Sequence, residues 1–265
     1  MKCCICGTLK NCAPYLNKVF ENIEKIASLF DDYVIILYYD KSSDNTLQIL
    51  KEYQIKNKKL IFYVNEKLPS TYRTINIARG RNFCLNYITT NYPDYKYFIM
   101  MDMDDVNCKD IDIAILKKYL HRDDWDGLSF NMSPAYYDYW ALSLYPYFLS
   151  LYCWDDPDKM SKLIFNNVDE SLKKLKENEL LNCASAFGGF AIYKKDKFIN
   201  CKYDGRLRND LLPFHSILNM NKTTCLNYKK SYDDCEHRAF HLEAINKNNA
   251  RIRISPENLF TPFKI

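Results

Sequence analysis

Three carboxylates within four positions, Asp102, Asp104 and Asp105, close an apolar run from Tyr97 to Met101. A short apolar run predicts a buried strand, which places the acids at its carboxyl end. Asp102 and Asp104 are two positions apart, so on a regular strand they share a face. Adjacent carboxylates repel unless a cation lies between them, and Mg²⁺ or Mn²⁺ prefers oxygen ligands. The spacing predicts a metal site that could also carry a substrate diphosphate. The alternative is a polar exit from the strand.

The elements that must position these acids alternate along the first part of the chain. Strands are predicted over Lys2–Thr8, Tyr33–Tyr39 and Leu60–Val64. Helices are predicted between them, from Pro14 onward, over Thr46–Tyr53 and over Thr71–Thr89. This alternation predicts an α/β fold, with a mostly parallel sheet flanked by helices. In such sheets ligands bind at the carboxyl ends of the strands.

Beyond Asn107 the pattern is weaker. A strand is predicted over Ala184–Tyr193, interrupted at Gly188 and Gly189. A glycine pair in a strand indicates either a close approach of the backbone to a ligand or a bulge. No internal repeat or linker divides the chain, so a single domain over residues 1–265 is predicted.

The composition limits the classes of partner. The net charge is only +4, from 37 basic and 33 acidic residues. A nucleic-acid-binding protein would concentrate basic residues on one face, so no nucleic-acid partner is predicted. No apolar run reaches the ~18 residues that a membrane-spanning helix requires, so no transmembrane segment is predicted.

The chain has eleven cysteines. No signal peptide is recognisable before the first strand, which predicts a cytoplasmic location and free thiols. Cys3, Cys4 and Cys6 could form half of a zinc site. No second pair of cysteines or histidines stands at the spacing of a zinc finger, which favours buried strand cysteines instead.

Seven short motifs follow one another along the chain. They are Cys6–Asn11, Tyr39–Thr46, Ala78–Asn82, Met101–Asp105, Tyr137–Ala141, Phe187–Tyr193 and Cys235–His241. In this order the chain resembles the GT-A (Rossmann-like) glycosyltransferases, most of all the capsule-associated mannosyltransferase type and related enzymes of large DNA viruses. Lys10 stands where that family is expected to carry Arg. The resemblance implies transfer of a sugar from a UDP- or GDP-sugar, with Mn²⁺ or Mg²⁺, to a hydroxyl of a glycan or protein. A viral origin would make the cytoplasm that of the host.

The resemblance also implies where each substrate binds: the nucleotide-sugar in residues 1–108 and the acceptor in residues 109–265. The implied donor-binding residues are Gly7, Thr8, Lys10, Asn11, Asp40, Arg73, Arg81, Asp102, Met103, Asp104, Asp138, Gly188 and Gly189. Asp40 would accept hydrogen bonds from the base or ribose, and Arg81 would reach the diphosphate or the sugar. Asp138 would line the sugar site with Trp140, unless this aromatic cluster only packs in the core.

A late acidic and imidazole cluster completes the predicted site. In this type of enzyme a late histidine often joins the aspartates at the metal, and His237 or His241 could do so. The two histidines lie on one face if the segment is helical. Glu236 is the first candidate for a general base if the reaction inverts the anomeric centre, and Asp210 is the second. The alternatives are a surface acid paired with Arg238 and histidines that are only satisfied polar groups.

Two other functions remain open. A nucleotidyltransferase acting on a sugar phosphate also uses paired carboxylates, but it would usually carry a Gly-rich basic loop early in the chain, where Gly7 stands alone. A non-catalytic sugar-binding module on the same fold would not need both the early acids and the late Glu/His cluster. Metal-dependent release of UDP or GDP from sugar nucleotides distinguishes the three.

Overall fold

The structure is a computed structural model that describes residues 1–132, 136–144, 165–212 and 232–261, together with positions 158 and 162. The first half follows the predicted alternation of strands and helices. Its strands are β1 (Lys2–Leu9), β2 (Asp32–Asp40), β3 (Leu60–Asn65) and β4 (Tyr97–Asp102). Its helices are α1 (Ala13–Ala27), α2 (Thr46–Lys56) and α3 (Arg73–Asn91).

The second half adds strands and helices of more varied length. The strands are β5 (Gly127–Asn131), β6 (Leu181–Cys183), β7 (Phe190–Lys194) and β8 (Ile252–Asn258). The helices are α4 (Ile113–Leu120), the single turn α5 (Glu170–Lys173) and α6 (Glu236–Asn248). A 3₁₀ turn, Asp105–Asn107, follows β4 directly.

All eight of these strands form one sheet in the order β3-β2-β1-β4-β7-β5-β8-β6. β1 pairs in parallel with both β2 and β4, and β5 pairs in parallel with β8. Only β6 and β7 run against the other strands, and β7 is inserted between β4 and β5. The prediction of a mostly parallel sheet flanked by helices is therefore confirmed.

The sheet is covered by apolar side chains on both faces. One layer contains Cys4 and Cys6 with α3 and α6, and the other contains Cys3 and Ile5 with α1 and α4. Alternation along β1 thus sends Cys3 and Cys4 to opposite faces of the sheet. This excludes a zinc half-site shared by the two residues. The nine cysteines that the structure describes are all free, as predicted.

The strand predicted over Ala184–Tyr193, with an interruption at Gly188 and Gly189, forms only after the glycine pair. Gly188 and Gly189 have φ angles of +65° and +77°, in the left-handed region that favours glycine. They form a turn, and β7 begins only at Phe190. A Cβ atom on Gly189 would lie 2.5 Å from Cγ1 of Val106, so the close approach is to protein and not to a ligand.

Among the described helices, none combines the length and the apolar character needed to cross a membrane.

Candidate active site

A cleft of about 570 Å³ opens at the carboxyl ends of β1, β2 and β4, beside the first turns of α3. This is the edge of the sheet where an α/β fold binds its ligands. Its lining includes most of the residues predicted for the donor, namely Thr8, Lys10, Asp40, Arg73, Asp102, Met103 and Asp104. The structure thus brings these seven predicted residues together in one cleft.

One end of the cleft is polar and rigid. The Asp40 carboxylate, at the end of β2, accepts a hydrogen bond of 2.6 Å from the Asn65 amide at the end of β3. Parallel pairing in register brings these two strand ends together. Asn65 lines the cleft and was missed by sequence reasoning, although the end of a predicted strand beside β2 was a signal for it. Together the two side chains offer both donors and acceptors to a ligand.

The loops after β1 and β2 are held to each other by side chains. Asn11 has a φ of +54°, and its Oδ1 accepts a hydrogen bond of 2.8 Å from the Ser43 backbone. The Asp44 carboxylate accepts bonds of 3.0 Å from the backbone N–H groups of both Ala13 and Thr46, at the starts of α1 and α2. Asn11 therefore supports the wall of the cleft without lining it.

The rim of the cleft is basic. Lys10, Lys41, Lys67 and Arg73 line it, and all four are exposed. The positive charge of Arg73 opposes the rise that burial causes in the pKa of Asp104, which places this guanidinium within electrostatic reach of the acids. A basic rim above an acidic floor suits an anion that arrives together with a divalent cation.

The acidic floor depends on packing beneath it. Met103 is buried between the two partly exposed acids Asp102 and Asp104. It lies against Gly7, where an added Cβ atom would come within 2.8 Å of the Met103 Cγ. Gly7 and Met103 therefore help to position the acids; Met103 also lines the cleft, whereas Gly7 does not. The Asp104 carboxylate accepts a bond of 3.3 Å from the Val106 N–H, which starts the 3₁₀ turn.

The glycine turn before β7 also supports the acidic floor, through hydrogen bonds to the Gly189 carbonyl. The carbonyl of Gly189 accepts bonds from the Asp102 N–H at 2.8 Å and from the Asn107 amide at 2.7 Å. The Asn107 amide also donates to the Asp102 carbonyl at 2.8 Å. Gly188 and Gly189 were predicted to contact the donor, but neither lines the cleft. The turn that they form supports the acidic floor instead.

A buried ion-pair chain lies behind Asp102. Arg81 is 3% exposed, and its Nη2 is 2.8 Å from the Asp102 carboxylate. Its Nη1 is 3.1 Å from Oε1 of Glu236, at the start of α6. The guanidinium also stacks over the Phe187 ring at 4.4 Å. Arg81 was predicted to reach the diphosphate or the sugar; in the structure its guanidinium pairs with two carboxylates, those of Asp102 and Glu236.

The carboxylates of this region affect one another's pKa. Burial raises the pKa of Asp102 to about 8; Arg81 opposes the rise, and Asp104 adds to it. Burial also raises the pKa of Asp104, while the Val106 N–H opposes the rise. Asp138, in the segment 136–144, has its pKa raised to about 6 by burial. Crowded carboxylates of this kind favour the binding of a cation.

The predicted set of two aspartates and a late histidine is not assembled in the described part of the chain, where no three metal-ligating side chains meet. Both histidines lie on α6, as expected, but they are buried. The nitrogens of His241 contact the hydroxyls of Ser185 and Tyr193 at 2.9 and 3.0 Å, which leaves neither for a metal.

His237 differs from His241 because its two ring nitrogens have no hydrogen-bond partner in the described residues. The ring stacks on Phe187 at 3.8 Å, and its Nε2 is 3.8 Å from Glu236. Burial lowers its pKa well below the usual value, and the charge of Arg81 lowers it further. Arg81, which pairs with Asp102 on one side and Glu236 on the other, is the cation that lies near this ring in the described residues.

The other predicted catalytic residues occupy different surroundings. Glu236 is 4% exposed and paired with Arg81, which leaves its carboxylate little access to an acceptor. Asp210 lies on the surface, pairs with Arg208 at 2.6 Å and does not line the cleft. Asp138, which was predicted for the sugar site and not for catalysis, is partly exposed and is not among the residues that line the cleft; burial raises its pKa, Glu236 adds to the rise, and Arg81 and Arg73 oppose it.

Comparison with known proteins gives a family and a fold. A sequence model of the family described as Glycosyl transferase family 2 matches residues 4–200. S. aureus TarS has 13% identity and a TM-score of 0.50 over 100% of this chain and 37% of its own. S. aureus TarS 1–349 in complex with UDP-GlcNAc has 15% identity and a TM-score of 0.48, over 100% and 59%. The mannosyltransferase PcManGT from Pyrobaculum calidifontis, in complex with GDP-Man and Mn²⁺, has 11% identity and a TM-score of 0.43, over 76% and 47%.

At these identities the likeness to solved structures concerns the fold alone. The chain spans 37% to 59% of the length of these three structures. No curated protein has a matching sequence.

Proposed function

Since the chain belongs to glycosyl transferase family 2, we propose that it transfers a sugar from a UDP- or GDP-sugar to an acceptor hydroxyl, with Mn²⁺ or Mg²⁺. Family membership favours transfer of a glycosyl group over the alternative of nucleotidyl transfer. A non-catalytic sugar-binding module on this fold would have no need of the buried chain from Asp102 through Arg81 to Glu236.

The observation that carries this proposal is the arrangement of charge in the cleft. Asp40 and Asn65 offer hydrogen bonds at one end, and the Asp102–Asp104 floor lies at the other. The basic rim lies along the same cleft. A nucleotide diphosphate sugar matches this order, because a polar base and ribose are joined to a diphosphate that binds cationic side chains and a metal ion. UDP-GlcNAc and GDP-Man, bound in two of the solved structures of similar fold, are molecules of this class.

The residues present fit a divalent metal ion. Asp102 and Asp104 are hard oxygen ligands whose pKa values are raised by burial, so a cation would relieve the crowding of negative charge. Mg²⁺ and Mn²⁺ sites of this kind use one or two carboxylates and complete their shell with phosphate and water. We propose Asp104 as the direct ligand, because Asp102 already pairs with Arg81. When bound, the metal would neutralise the leaving diphosphate as a Lewis acid.

Different side chains of the protein then bind different parts of the donor. Lys10 and Arg73 attract and orient the diphosphate, and Asp40 holds the base or ribose. Arg81 keeps the Asp102 carboxylate fixed at 2.8 Å and in place for the metal. We propose that residues 1–108 bind the donor and residues 109–265 bind the acceptor. A cytoplasmic location is proposed because the nine described cysteines are unpaired. Likeness to capsule-associated or viral enzymes stays a prediction.

The test is release of UDP or GDP from UDP-GlcNAc, UDP-Glc and GDP-Man, with and without Mn²⁺, over a panel of methyl glycosides as acceptors. Transfer is scored by the mass gained by the acceptor. Asp40→Ala should weaken binding of UDP or GDP in calorimetry, and the exposed Asp94→Ala is the matched control. Metal-independent release, or no mass gain with any donor, would contradict the proposal.

A further inference from the structure

A cavity of about 540 Å³ lies on the side of α3 that faces away from the cleft. α3 lines the cleft with Arg73, Asn76 and Ile77. It lines this cavity, here called the α3 cavity, with Ile75, Ala78, Arg79 and Asn82. An α-helix has about 3.6 residues per turn, so these two sets lie on opposite faces of α3. None of the residues predicted for the donor, the metal or catalysis lines the α3 cavity.

Two exposed tyrosines connect the α3 cavity to the rim of the cleft. Tyr72 precedes the first residue of α3, between Thr71 and Arg73, which both line the cleft. Tyr232 lines the α3 cavity, and its ring lies 4.6 Å from that of Tyr72. Tyr72 is 38% exposed and Tyr232 is 54% exposed. Aromatic rings that adjoin each other and stay exposed indicate a surface that a ligand covers.

One wall of the α3 cavity, residues 203–205, is fixed to α3. The Asn82 amide donates to the Tyr203 carbonyl at 2.7 Å and accepts from the Tyr203 N–H at 2.9 Å. The Thr74 hydroxyl donates to the Gly205 carbonyl at 2.9 Å. A Cβ atom on Gly205 would lie only 2.3 Å from the carbonyl carbon of Thr74, so this wall is in direct contact with the helix. The cavity is therefore preformed, which reduces the entropy that a ligand loses on binding.

Two cations of the α3 cavity are left over after the ion pairs around it are formed. These pairs are Arg206 with Asp204, Arg208 with Asp210 and Lys247 with Glu243. Arg79 and Lys202 also line the cavity, and neither belongs to an ion pair in the part of the chain that the structure describes. Arg79 donates one bond of 3.3 Å to the Leu68 carbonyl, which leaves most of its planar fork available. The cavity thus offers two positive charges to an anionic ligand.

These features match a saccharide that carries negative charge. A sugar ring has C–H groups on its faces and hydroxyls around its edge, so it stacks on an aromatic ring while its hydroxyls bond to polar side chains. Asn82, Asp204 and Glu243 provide such polar groups in the α3 cavity. A carboxylate or phosphate on the same saccharide would pair with Arg79 and Lys202.

A second nucleotide-sugar would also bind cations and aromatic rings, but the cleft already matches the one donor that each transfer consumes. Most of the lining of the α3 cavity comes instead from the half of the chain proposed for the acceptor, namely from Lys202 to Arg208, Tyr232 and Glu243. The location of the cavity therefore favours the acceptor over a second donor.

We propose that the α3 cavity binds the part of the acceptor that does not react, and that this acceptor is an anionic oligosaccharide. This rests on the proposed function. The reacting sugar lies in the cleft, and the following sugar stacks on Tyr72 and Tyr232. A carboxylate or phosphate further along the acceptor pairs with Arg79 and Lys202. No bond is made or broken in the cavity, so its contacts lower the acceptor KM and do not change kcat.

The first experiment measures binding of four pentasaccharides by calorimetry, in the presence of Mn²⁺ with UDP or GDP. Cellopentaose and mannopentaose are neutral, pentagalacturonic acid carries carboxylates, and phosphomannopentaose carries a phosphate. At least one anionic chain should bind about 10-fold more tightly than the neutral chains, and about 0.5 M NaCl should reduce the difference. Which of the two anionic chains is preferred distinguishes carboxylate from phosphate. If neither binds more tightly than the neutral chains, the inference is overturned.

The second experiment removes the two cations. The double variant Arg79→Gln with Lys202→Gln should weaken binding of the preferred pentasaccharide by about 10-fold for each cation removed. The control is Lys51→Gln with Lys58→Gln, which makes the same change of charge at exposed lysines that line neither the cleft nor the α3 cavity. Equal affinities in the two double variants would exclude the α3 cavity as the anion site.

The third experiment removes one ring of the tyrosine pair. Tyr232→Ala should weaken binding of the preferred pentasaccharide by about 3–10-fold, the usual contribution of a stacked ring. Tyr63→Ala is the matched control, because Tyr63 is also exposed and stacks on another ring, that of Phe83. An unchanged affinity in Tyr232→Ala would contradict the stacking.

The transfer assay separates binding in the α3 cavity from a general effect on the fold. The preferred pentasaccharide should serve as an acceptor or compete with a methyl glycoside, which is too short to reach the cavity. Removing Arg79 and Lys202 should lower kcat/KM for the pentasaccharide, or its inhibition, relative to kcat/KM for the methyl glycoside, by the factor found in calorimetry. A merely structural effect would leave this ratio unchanged, and that result would overturn the assignment, as would a pentasaccharide that neither accepts sugar nor competes.

Failure of this inference and failure of the proposed function give different results. If the wild-type chain transfers sugar to methyl glycosides and prefers no anionic pentasaccharide, the inference fails while the proposed function stands. If the wild-type chain transfers no sugar from any donor, the proposed function itself fails.

Discussion

Replacing Arg81 by Met tests whether the buried ion-pair chain behind the acidic floor has the energetics that its geometry implies. The side chains of Arg81 and Glu236 are 4% and 5% exposed, whereas that of Asp102 is 27% exposed. Met fills much of the same volume without the charge, so Glu236 is left as a buried carboxylate with no cation. Removing one partner of a buried pair costs about 3–5 kcal/mol. The unpaired charge of Asp102 adds less to this loss of stability, because water reaches its carboxylate.

The double variant Arg81→Met with Glu236→Gln separates this cause from simple loss of packing. Gln removes the unpaired charge, so the double variant should regain most of the stability lost by Arg81→Met, to within about 2 kcal/mol of the wild type. Lys118→Met is the control, because Lys118 and its partner Glu257 are each more than 30% exposed. Such a surface pair contributes about 0–1 kcal/mol.

Free energies of unfolding come from urea titrations followed by fluorescence and circular dichroism, with coincident transitions required before a two-state fit. The reasoning is refuted if Arg81→Met loses less than about 1 kcal/mol. It is also refuted if the double variant is no more stable than Arg81→Met, since the cost would then arise from packing and not from an orphaned charge.

Three further predictions use other parts of the structure. Asp104→Ala should abolish metal-dependent turnover in a protein that still folds, while Asp110→Ala, whose side chain is 70% exposed, should keep full activity; turnover of Asp104→Ala at the wild-type rate in saturating Mn²⁺ would exclude the metal assignment. Gly189→Ala should destabilise the protein by about 1–3 kcal/mol in urea, because its φ of +77° and the contact with Val106 both oppose a Cβ atom; an unchanged midpoint would contradict this. In the native protein a maleimide should label Cys108 first among the nine described cysteines, since the other eight are buried, and peptide mapping that finds a buried strand cysteine labelled earlier would count against the described packing.

The first half of the fold could be predicted because its signals are local. Short apolar runs mark β1 to β4, and helical spacing marks the segments between them, so the strands and the order of elements agree with the structure. Parallel strands then bring their carboxyl ends to one edge. This is why Asp40, Asp102 and Asp104 could be expected at one edge of the sheet, where the structure shows them lining one cleft.

The rest depends on partners that are distant in sequence. Nothing near Arg81 shows that Glu236 pairs with it, and nothing near His241 shows that Ser185 and Tyr193 occupy its nitrogens. The i, i+4 spacing of the histidines correctly predicted that both lie on one face of a helix. That face is not exposed, because α6 is buried on almost every side. The glycine pair before β7 was predicted to interrupt a strand, but the sequence does not show that both residues have a positive φ and form a turn.

The insertion of β7 between β4 and β5 has a consequence for synthesis of the chain. β4 is complete at Asp102, whereas β7 begins at Phe190, roughly ninety residues later. At ~5–20 residues per second the edge of β4 waits about 5–20 s for its partner. During that time Phe98–Met101, all buried in the finished protein, form an apolar strand with one unpaired edge. The nascent chain is therefore most prone to aggregation while the second half is still being made.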